Sequence, residues 1–166
     1  MELYTNDLLL KTVSDEDLNE VARMWEFEKG PISFNQAQEA IDYMQNNHKQ
    51  NRFGTIHHLC FAIFEKGKHS IIGWCGLDGQ CTKGQTVIFY LIDKDYRNNG
   101  YATQCAIKLL AHAFETAGLK IVHGGCYKDN IASYKVMEKA GMMQYAFEEN
   151  GAPLFIIDRD RYDAIR

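Results

Sequence analysis

The chain has 166 residues, of which 46% are hydrophobic, 12% aromatic and 24% charged, a composition typical of a globular domain and not of a disordered segment. The 18 Lys and Arg residues and the 22 Asp and Glu residues give a net charge of −4, which argues against a partner bound mainly through nucleic-acid phosphates. No apolar run reaches membrane-spanning length, the start of the chain is acidic where a signal peptide is basic, and the five cysteines form no CxxC pair. We therefore predict one cytoplasmic domain over residues 1–166, without a nucleic-acid or membrane partner.

The first third of the chain predicts one strand followed by two helices. The run LLLKTV over residues 8–13 indicates the strand, and Ser14 is a suitable N-cap for a helix whose first turn is acidic. This helix should end before the Gly-Pro pair at residues 30–31. A second helix, capped by Ser33, is predicted to run to about His48.

The middle of the chain predicts three strands and a long helix. Residues 59–64 and 70–77 are predicted to form a hairpin around Gly67, and the apolar run TVIFYLI over residues 86–92 a central strand. A helix from about residue 100 to 116 follows, because apolar residues recur there at helical spacing: Ala102, Cys105, Ala106, Leu109, Leu110, Ala113 and Phe114.

The last third predicts a strand over residues 120–126, a short helix over residues 130–140 and two strands over residues 143–147 and 154–158. Gly141 is a suitable end for the short helix. Strands and helices in this order indicate an α/β or α+β sheet with helices packed against it.

The segment between the central strand and the long helix carries an R-x-x-G-x-A pattern, formed by Arg97, Gly100 and Ala102. The unpaired N–H groups and the positive dipole end of a helix favour an anion such as a diphosphate. Glycine lets a ligand approach the backbone, and Arg97 adds a charge that can meet phosphate oxygens in bidentate fashion. An ordinary turn at the start of a helix explains the same residues, so the pattern alone leaves both interpretations open.

A second segment begins the short helix, with Asn130 at its start and Ser133 one turn later. Asn is a frequent N-cap and Ser is tolerated within a helix, so a purely structural interpretation is available for both residues. Together, R-x-x-G-x-A and the later N-x-x-S-x-x-V-x-x-K-x-G-M pattern resemble the two coenzyme motifs of the GNAT superfamily of acetyl-CoA-dependent N-acetyltransferases. The opening LLLK and the Ile71-Ile72-Gly73 segment resemble the RimJ/RimL branch of that superfamily.

The resemblance covers essentially the whole chain in order and is weakest between residues 30 and 56. It implies a mixed, mostly antiparallel sheet of six to seven strands, with helices on both faces and a splay between strands 4 and 5. It also implies transfer of an acetyl group from acetyl-CoA to a primary amine, in a protein N-terminus or a small molecule, by direct attack in a ternary complex without a metal. The alternative is a non-catalytic acetyl-CoA-binding sensor or interaction module of the same fold, and the protein is expected to be a monomer or a homodimer.

In this family the pantetheine arm pairs with the central strand, and the diphosphate lies on the loop that follows. The resemblance therefore assigns the arm to Leu91, Ile92 and Asp93, with Asn130 and Ser133 on its far side. It assigns the diphosphate to the residues of the loop and the first helical turn: Arg97, Asn98, Asn99, Gly100, Tyr101, Ala102 and Thr103.

The resemblance also implies which group protonates the leaving thiolate. Many relatives have a Tyr seven residues after the motif Asn, where this chain has Met137, so Ser133 is the implied donor and Tyr134 the fallback. A general acid in this position contributes about 10²–10⁴-fold to the rate. A coenzyme contact or a capped helix turn explains Ser133 equally well.

The general base is not marked by a familiar position. Two positions at which relatives carry a carboxylate hold Val87 and Gly125 in this chain. Glu28, Asp78 and His123 remain as candidates, and a water chain is a further possibility.

The acceptor wall is assigned by resemblance to the connection between the first two helices. In this chain that segment supplies Trp25, Glu28 and Phe34. An aromatic and acidic wall suits a cationic amine. Trp25 and Phe34 are also explained as core residues, and that interpretation stays open.

Overall fold

The computed structural model describes residues 1–26, 29–82 and 84–166, apart from the side chain of Thr82. The strands are β1 (Glu2–Tyr4), β2 (Leu8–Lys11), β3 (His58–Glu65), β4 (Ile71–Thr82), β5 (Gln85–Ile92), β6 (Ile121–Gly125), β7 (Met143–Phe147) and β8 (Pro153–Asp158). The α-helices are α1 (Leu18–Met24), α2 (Phe34–His48), α3 (Tyr101–Ala111), α4 (Ile131–Lys139) and α5 (Arg159–Ile165). Short 3₁₀ turns span Asp15–Asp17 and Lys94–Tyr96, and a π-helical turn at His112–Thr116 continues α3.

The strands form one eight-stranded sheet in the order β1-β2-β3-β4-β5-β6-β8-β7. Neighbouring strands run antiparallel except β5 and β6, which are parallel and, among the described residues, share a single residue pair, Val87 with His123. The predicted mixed sheet is therefore confirmed, and the splay expected between the strands at residues 86–92 and 120–126 lies between β5 and β6. The sheet exceeds the predicted six to seven strands because the short β1 pairs with β2.

Two elements were not predicted from the sequence. Strand β1 has three residues, which is too short for an alternating pattern to be visible. Helix α5 begins at Arg159 and is capped by Asp158, whose carboxylate accepts the backbone N–H of Arg161 at 2.8 Å. A carboxylate at this position is a common N-cap, but the residue also ends a strand, and the strand pattern hid the cap.

Three predicted elements differ in their extent. The helix expected after Ser14 begins as a 3₁₀ turn, because the Asp17 carboxylate accepts the Ser14 N–H at 2.9 Å and tightens that turn. The long helix changes to π geometry where the Ala117 N–H donates to the His112 carbonyl five residues earlier, at 2.8 Å. The strand predicted over residues 70–77 extends further, because β4 and β5 stay paired through an irregular stretch up to their connecting turn.

One face of the sheet packs against α3, α4 and α5. Side chains such as Phe61, Leu77 and Ile88 alternate toward this face and form its buried floor. The apolar stripe predicted for the long helix lies against them, with Ala102 half-buried and the rest of the stripe fully buried: Cys105, Ala106, Leu109, Leu110, Ala113 and Phe114. Because α3 and α4 both pack on this core, the two sequence motifs at the starts of these helices lie on the same face of the sheet.

The opposite face packs against α1 and α2 over the first half of the sheet. The Trp74 indole N–H donates to the Met24 carbonyl at 2.9 Å and ties the end of α1 to β4. The Glu20 carboxylate accepts the Ile71 N–H at 2.8 Å while the Arg23 guanidinium donates to the Ile71 carbonyl at 2.7 Å. The pKa of Glu20 lies below its ordinary value because Arg23 donates hydrogen bonds to its carboxylate.

Among the residues that the structure describes, none of the helices combines the length and apolarity required to cross a membrane. The buried side chains instead lie in the two layers on either side of the sheet.

Replacing Leu109 by Ala should lower the free energy of unfolding by about 2–5 kcal/mol, because this side chain is fully buried and its loss leaves a cavity. The matched control is Ile107→Ala on the same helix, whose side chain is 50% exposed. That variant should stay within about 0.5 kcal/mol of the parent protein. Urea denaturation measures both, and equal losses would contradict the assignment of the buried face.

Candidate functional site

A cleft of about 400 Å³ opens where β5 and β6 separate. Four segments of the chain line it: Val87–Tyr90 of β5, Gly125–Tyr127 at the end of β6, Asn130 and Ser133 at the start of α4, and Glu148, Asn150 and Ala152–Leu154 around the β7–β8 turn. The cleft therefore coincides with the splay, and it brings the second sequence motif to the central strand.

A pair of hydroxyl groups lies inside this cleft. The Tyr90 hydroxyl is 2.9 Å from Ser133 Oγ and donates to the Ser133 carbonyl at 3.1 Å. Burial raises the pKa of Tyr90 to about 12, so the phenol keeps its proton at neutral pH. The Cys126 thiol interacts with Ser133 as well, and burial raises the pKa of that thiol above its ordinary value. The group consists of neutral, protonated side chains that can donate to a developing anion.

Tyr90 was not among the residues predicted for the site. Alternation along β5 places its side chain on the same face as those of Ile88 and Ile92, toward the core. A tyrosine in such a position needs a partner for its hydroxyl, which was the available signal. The partner is 43 residues away in sequence, so local patterns could not identify it.

Tyr134 points to a different place from Ser133. Its hydroxyl donates to Gln144 Oε1 on β7 at 2.9 Å, and its ring packs edge-on against Phe155 with 5.0 Å between the centroids. Tyr134 is not part of the cleft lining described above. The structure thus brings Ser133 to the cleft and places the fallback donor beside β7 and β8.

Asn130 is placed both as the N-cap of a helix and as a lining residue of the cleft, so both interpretations from the sequence fit its position. Its side-chain Oδ1 accepts the Ser133 N–H at 3.0 Å, so Asn130 is the N-cap of α4. The same residue lines the cleft. The cap fixes the orientation of the amide, and the NH₂ half donates to none of the residues that the structure describes.

The loop between β5 and α3 has the backbone of an anion-binding turn. Asn98 and Gly100 have positive φ values of 67° and 76°, and Gly100 is the N-cap of α3. The Arg97 side chain is fixed at the end of β5, where its Nε donates to the Ile92 carbonyl at 2.9 Å. The backbone N–H groups of residues 98–103 donate no hydrogen bond to the described part of the chain. Such N–H groups at a helix start suit phosphate oxygens.

Three residues at the end of β5 were predicted to contact the pantetheine arm. Leu91 and Ile92 are the last two residues of the strand, and Asp93 follows it. Leu91 and Ile92 pair with Trp74 and Gly73 of β4, and the Leu91 side chain is exposed. The Asp93 N–H already donates to the Ile72 carbonyl at 2.9 Å, on the β4 side. These residues form the rim of the splay between the cleft and the Arg97–Thr103 loop.

Asp78 and His58 form a close pair on the α2 side of the sheet. Asp78 Oδ1 is 3.7 Å from His58 Nδ1, and the Asp78 carboxylate accepts the Gln80 N–H at 2.7 Å and the Cys81 thiol at 3.0 Å. Burial opposes ionisation of this carboxylate, but the hydrogen bonds from Cys81 and Gln80 and the nearby His58 leave its pKa below the ordinary value.

Trp25 and Phe34, two of the residues predicted for the acceptor wall, do not line the cleft. Trp25 packs edge-on against Trp74 at 5.4 Å and lines a separate hollow of about 310 Å³ beside α2. Phe34 is the first residue of α2 and is 60% exposed. Glu28 lies outside the described residues. Glu148 and Asn150, which do line the cleft, were not predicted, because the only local signal was a polar turn.

The described residues contain no group of three or more His, Cys, Asp or Glu side chains that could hold a metal ion. The cysteines of the chain are present as free thiols. The polar side chains that line the cleft carry hydroxyl, thiol, amide and carboxylate groups.

Comparison with known proteins finds a shared family. The model of the acetyltransferase (GNAT) domain matches residues 7–143. The chain is 27% identical over 145 residues to the uncharacterized N-acetyltransferase YjdG of Bacillus subtilis (strain 168), which covers 86% of each protein.

Two solved structures have a similar fold. One is a ribosomal-protein-S5-alanine acetyltransferase from Vibrio fischeri, with a TM-score of 0.80, 15% identity and 98% of each chain covered. The other is RimL, a ribosomal L7/L12 alpha-N-protein acetyltransferase in complex with coenzyme A, with a TM-score of 0.74, 12% identity, 97% of this chain and 99% of that chain covered. At these identities the likeness concerns the fold.

Two substitutions at Asn130 separate its cap from a ligand contact. Asn130→Ala should cost about 1 kcal/mol of stability, because the cap of α4 is lost. Asn130→Ser should restore that stability, because Ser is an equally good N-cap. If the Asn130 amide contacts coenzyme A, the Ser variant should still bind it more weakly than the parent protein does. Chemical denaturation and calorimetric titration with coenzyme A measure the two effects, and full recovery of affinity in the Ser variant would reduce Asn130 to a cap.

Proposed function

The chain belongs to the acetyltransferase (GNAT) domain family, and we propose that residues 1–166 form one such domain, which moves an acetyl group from acetyl-CoA to a primary amine. The observation that carries this proposal is the cleft between β5 and β6. It has a hydroxyl pair inside, and a loop at the start of α3 whose backbone N–H groups donate to none of the described residues. The N–H groups of the loop suit the diphosphate of an anionic coenzyme, and the hydroxyl pair in the cleft suits a leaving thiolate.

The coenzyme is proposed to lie from the α3 loop to the cleft. Its diphosphate would be held by the N–H groups of residues 98–103 and by the Arg97 guanidinium, which the Ile92 carbonyl orients. Its amide-bearing arm would follow the end of β5 at Leu91 and Asp93, in the manner of an added strand. The loop geometry and the gap beside β5 support this path, because both leave backbone groups available to a ligand.

The reaction is proposed to be direct attack of a neutral amine on the thioester carbonyl. A new N–C bond forms, the C–S bond breaks, and the thiolate of coenzyme A takes a proton. A thiol has a pKa of about 8.5, so protonation of the leaving sulfur is favourable near neutral pH. The Ser133 hydroxyl, hydrogen-bonded to the Tyr90 phenol, is the proposed donor.

The acceptor is proposed to be a protein N-terminal amine. Glu148 and Asn150 bring a carboxylate and an amide to the cleft, and both suit an ammonium group. The names of the two similar structures, an S5-alanine and an alpha-N-protein acetyltransferase, support the same class of acceptor. Trp25, Glu28 and Phe34 remain predicted contacts for the part of the acceptor that extends beyond the cleft.

Gly100→Glu should abolish coenzyme binding, because it places a carboxylate at the proposed diphosphate seat. The matched control is Gly54→Glu, since Gly54 also has a positive φ (80° against 76°) and open space around its Cβ position. A ligand at 100 times its dissociation constant adds about 2.7 kcal/mol to stability. Thermal-shift titration of the parent protein and of Gly54→Glu should show this gain with acetyl-CoA and coenzyme A but not with ATP. A gain retained in Gly100→Glu would place the coenzyme elsewhere.

Ser133→Ala should lower the rate of acetyl transfer by about 10²-fold or more, because the thiolate loses its proton donor. The matched control is Tyr134→Phe, which removes a hydroxyl that donates to Gln144 outside the cleft and should leave the rate near that of the parent. Release of free thiol from acetyl-CoA measures the rate, with a hexapeptide bearing a free N-terminal alanine and with spermidine as acceptors.

The same assay tests the reaction itself. A loss of acetyl-transfer rate in Tyr134→Phe but not in Ser133→Ala would make Tyr134, and not Ser133, the proton donor. Coenzyme binding without thiol release from any acceptor would favour the alternative, a non-catalytic acetyl-CoA-binding module.

A further inference from the structure

Four residues stand side by side in consecutive strands across one face of the sheet. His58 of β3 pairs with Asp78 of β4, Asp78 with Val87 of β5, and Val87 with His123 of β6. Paired residues project to the same face of a sheet, so three titratable side chains and one valine form a row. Val87 lines the cleft, and the row therefore crosses the sheet at the narrow end of the splay.

His123 has an unexplained ring nitrogen. Its Nδ1 is buried and has no hydrogen-bond partner among the described residues. An unpaired buried polar atom destabilises a fold, so it calls for a reason such as a catalytic role. Burial alone lowers the pKa of His123, which keeps the ring neutral near pH 7 and able to accept a proton.

His123 does not itself line the cleft, but a neighbouring residue on the same face of β6 does. Gly125 lies two residues further along β6, on the same face as His123, and lines the cleft itself. It carries no side chain, and the atoms nearest to an added Cβ would be those of Leu154 and Pro153, at 3.4 and 3.5 Å. Glycine here adds no side chain between the imidazole and the cleft, and Leu154 packs beside this position.

We propose that His123 is the proton acceptor of the transfer reaction, acting on the acceptor amine from the face of the sheet opposite to Tyr90 and Ser133. This inference rests on the proposed function. The acceptor arrives as an ammonium ion and gives one proton to His123, which later releases it to solvent. The neutral amine attacks the thioester carbonyl and the C–S bond breaks. The attacking nitrogen releases its second proton to solvent, the sulfur takes a proton from the Ser133 hydroxyl, and Ser133 regains a proton from solvent.

The other candidates in the row have close neighbours of their own, although Nδ1 of His58, like that of His123, has no hydrogen-bond partner among the described residues. The Asp78 carboxylate accepts hydrogen bonds from Gln80 and Cys81, and its pKa is lowered, which makes it a poor acceptor near pH 7. The His58 ring lies between the rings of Tyr43 and Phe89, with centroid distances of 5.7 and 5.9 Å. Both residues are also further from β6 than Val87 is.

Among the described residues, no charged side chain pairs with His123. Tyr145 of β7 approaches the imidazole edge-on at 6.3 Å between centroids, and the directly paired residues are Val87 of β5 and Ile156 of β8. The nearest acidic residues in the row and the cleft are Asp78, beyond Val87, and Glu148 at the β7–β8 turn. No positive or negative charge contributes to its pKa, so the ring titrates through its burial.

The test compares three histidine variants in the thiol-release assay with the N-terminal alanine peptide across pH. His123→Gln should lower kcat/KM about 100-fold or more near pH 7, because a general base is lost. The deficit should shrink as pH rises above about 8, where an α-amino group is already neutral. The parent protein should lose activity below the pKa of His123, and the variant should lack that acidic limb. His112→Gln, a buried histidine of the α3 core, is the control and should retain the parent profile.

A second readout does not depend on turnover. In the parent protein, the NMR signals of the His123 ring should titrate below pH 6.5 and shift when acetyl-CoA is added. A parent that binds acetyl-CoA but acetylates neither peptide nor spermidine would refute the proposed function, and the NMR response alone would then decide whether His123 faces the coenzyme. An unchanged acidic limb in His123→Gln, the same pH-dependent deficit in His58→Gln instead, or His123 signals that ignore acetyl-CoA would overturn the proposal.

Discussion

The structure depends on a gap in the sheet: beyond the pair Val87 and His123, strands β5 and β6 do not continue their ladder of hydrogen bonds among the described residues. Every other pair of neighbouring strands in the sheet shares at least three residue pairs, whereas these two share one among the described residues. Backbone N–H and C=O groups at the edge of a strand need partners. The gap is thus a place where the chain can bind a ligand that carries amides, and the loop before α3 and the start of α4 both lie at its open end.

The gap stays open because other contacts hold the two strands. Ile88 of β5 and Val122 of β6 belong to the same buried core, so the sheet remains continuous beneath the splay. Helix α4 packs directly on β6, since a Cβ at Gly124 would lie 2.9 Å from the Met137 sulfur. The hydrogen bond between the hydroxyl groups of Tyr90 and Ser133 then joins β5 to α4 across the gap. This hydrogen bond therefore connects the two elements and also holds the Ser133 hydroxyl, the proposed proton donor to a thiolate, in the gap.

Local patterns predicted most of the fold. The apolar run at residues 86–92 and the stripe on the long helix both concern neighbours within a few residues, and both lie where they were expected. The partner of Tyr90 and the row that contains His123 depend on strand register, which pairs residues far apart in sequence. No local pattern contains that register, so the hydroxyl pair was missed and His123 could be named only as one candidate among several.

Register also determines how two protons can be handled in one cleft. Tyr90 and Ser133 lie on the side of the sheet that packs against α3 and α4, whereas Val87 and His123 project from the other face. A phenol whose pKa is raised and an imidazole whose pKa is lowered both keep their neutral forms near pH 7. Strand β5 separates the two groups, which places the proposed proton donor on one face of the sheet and the proposed proton acceptor on the other. A ligand in the gap would lie between these two faces, an arrangement that a single face of the sheet could not provide.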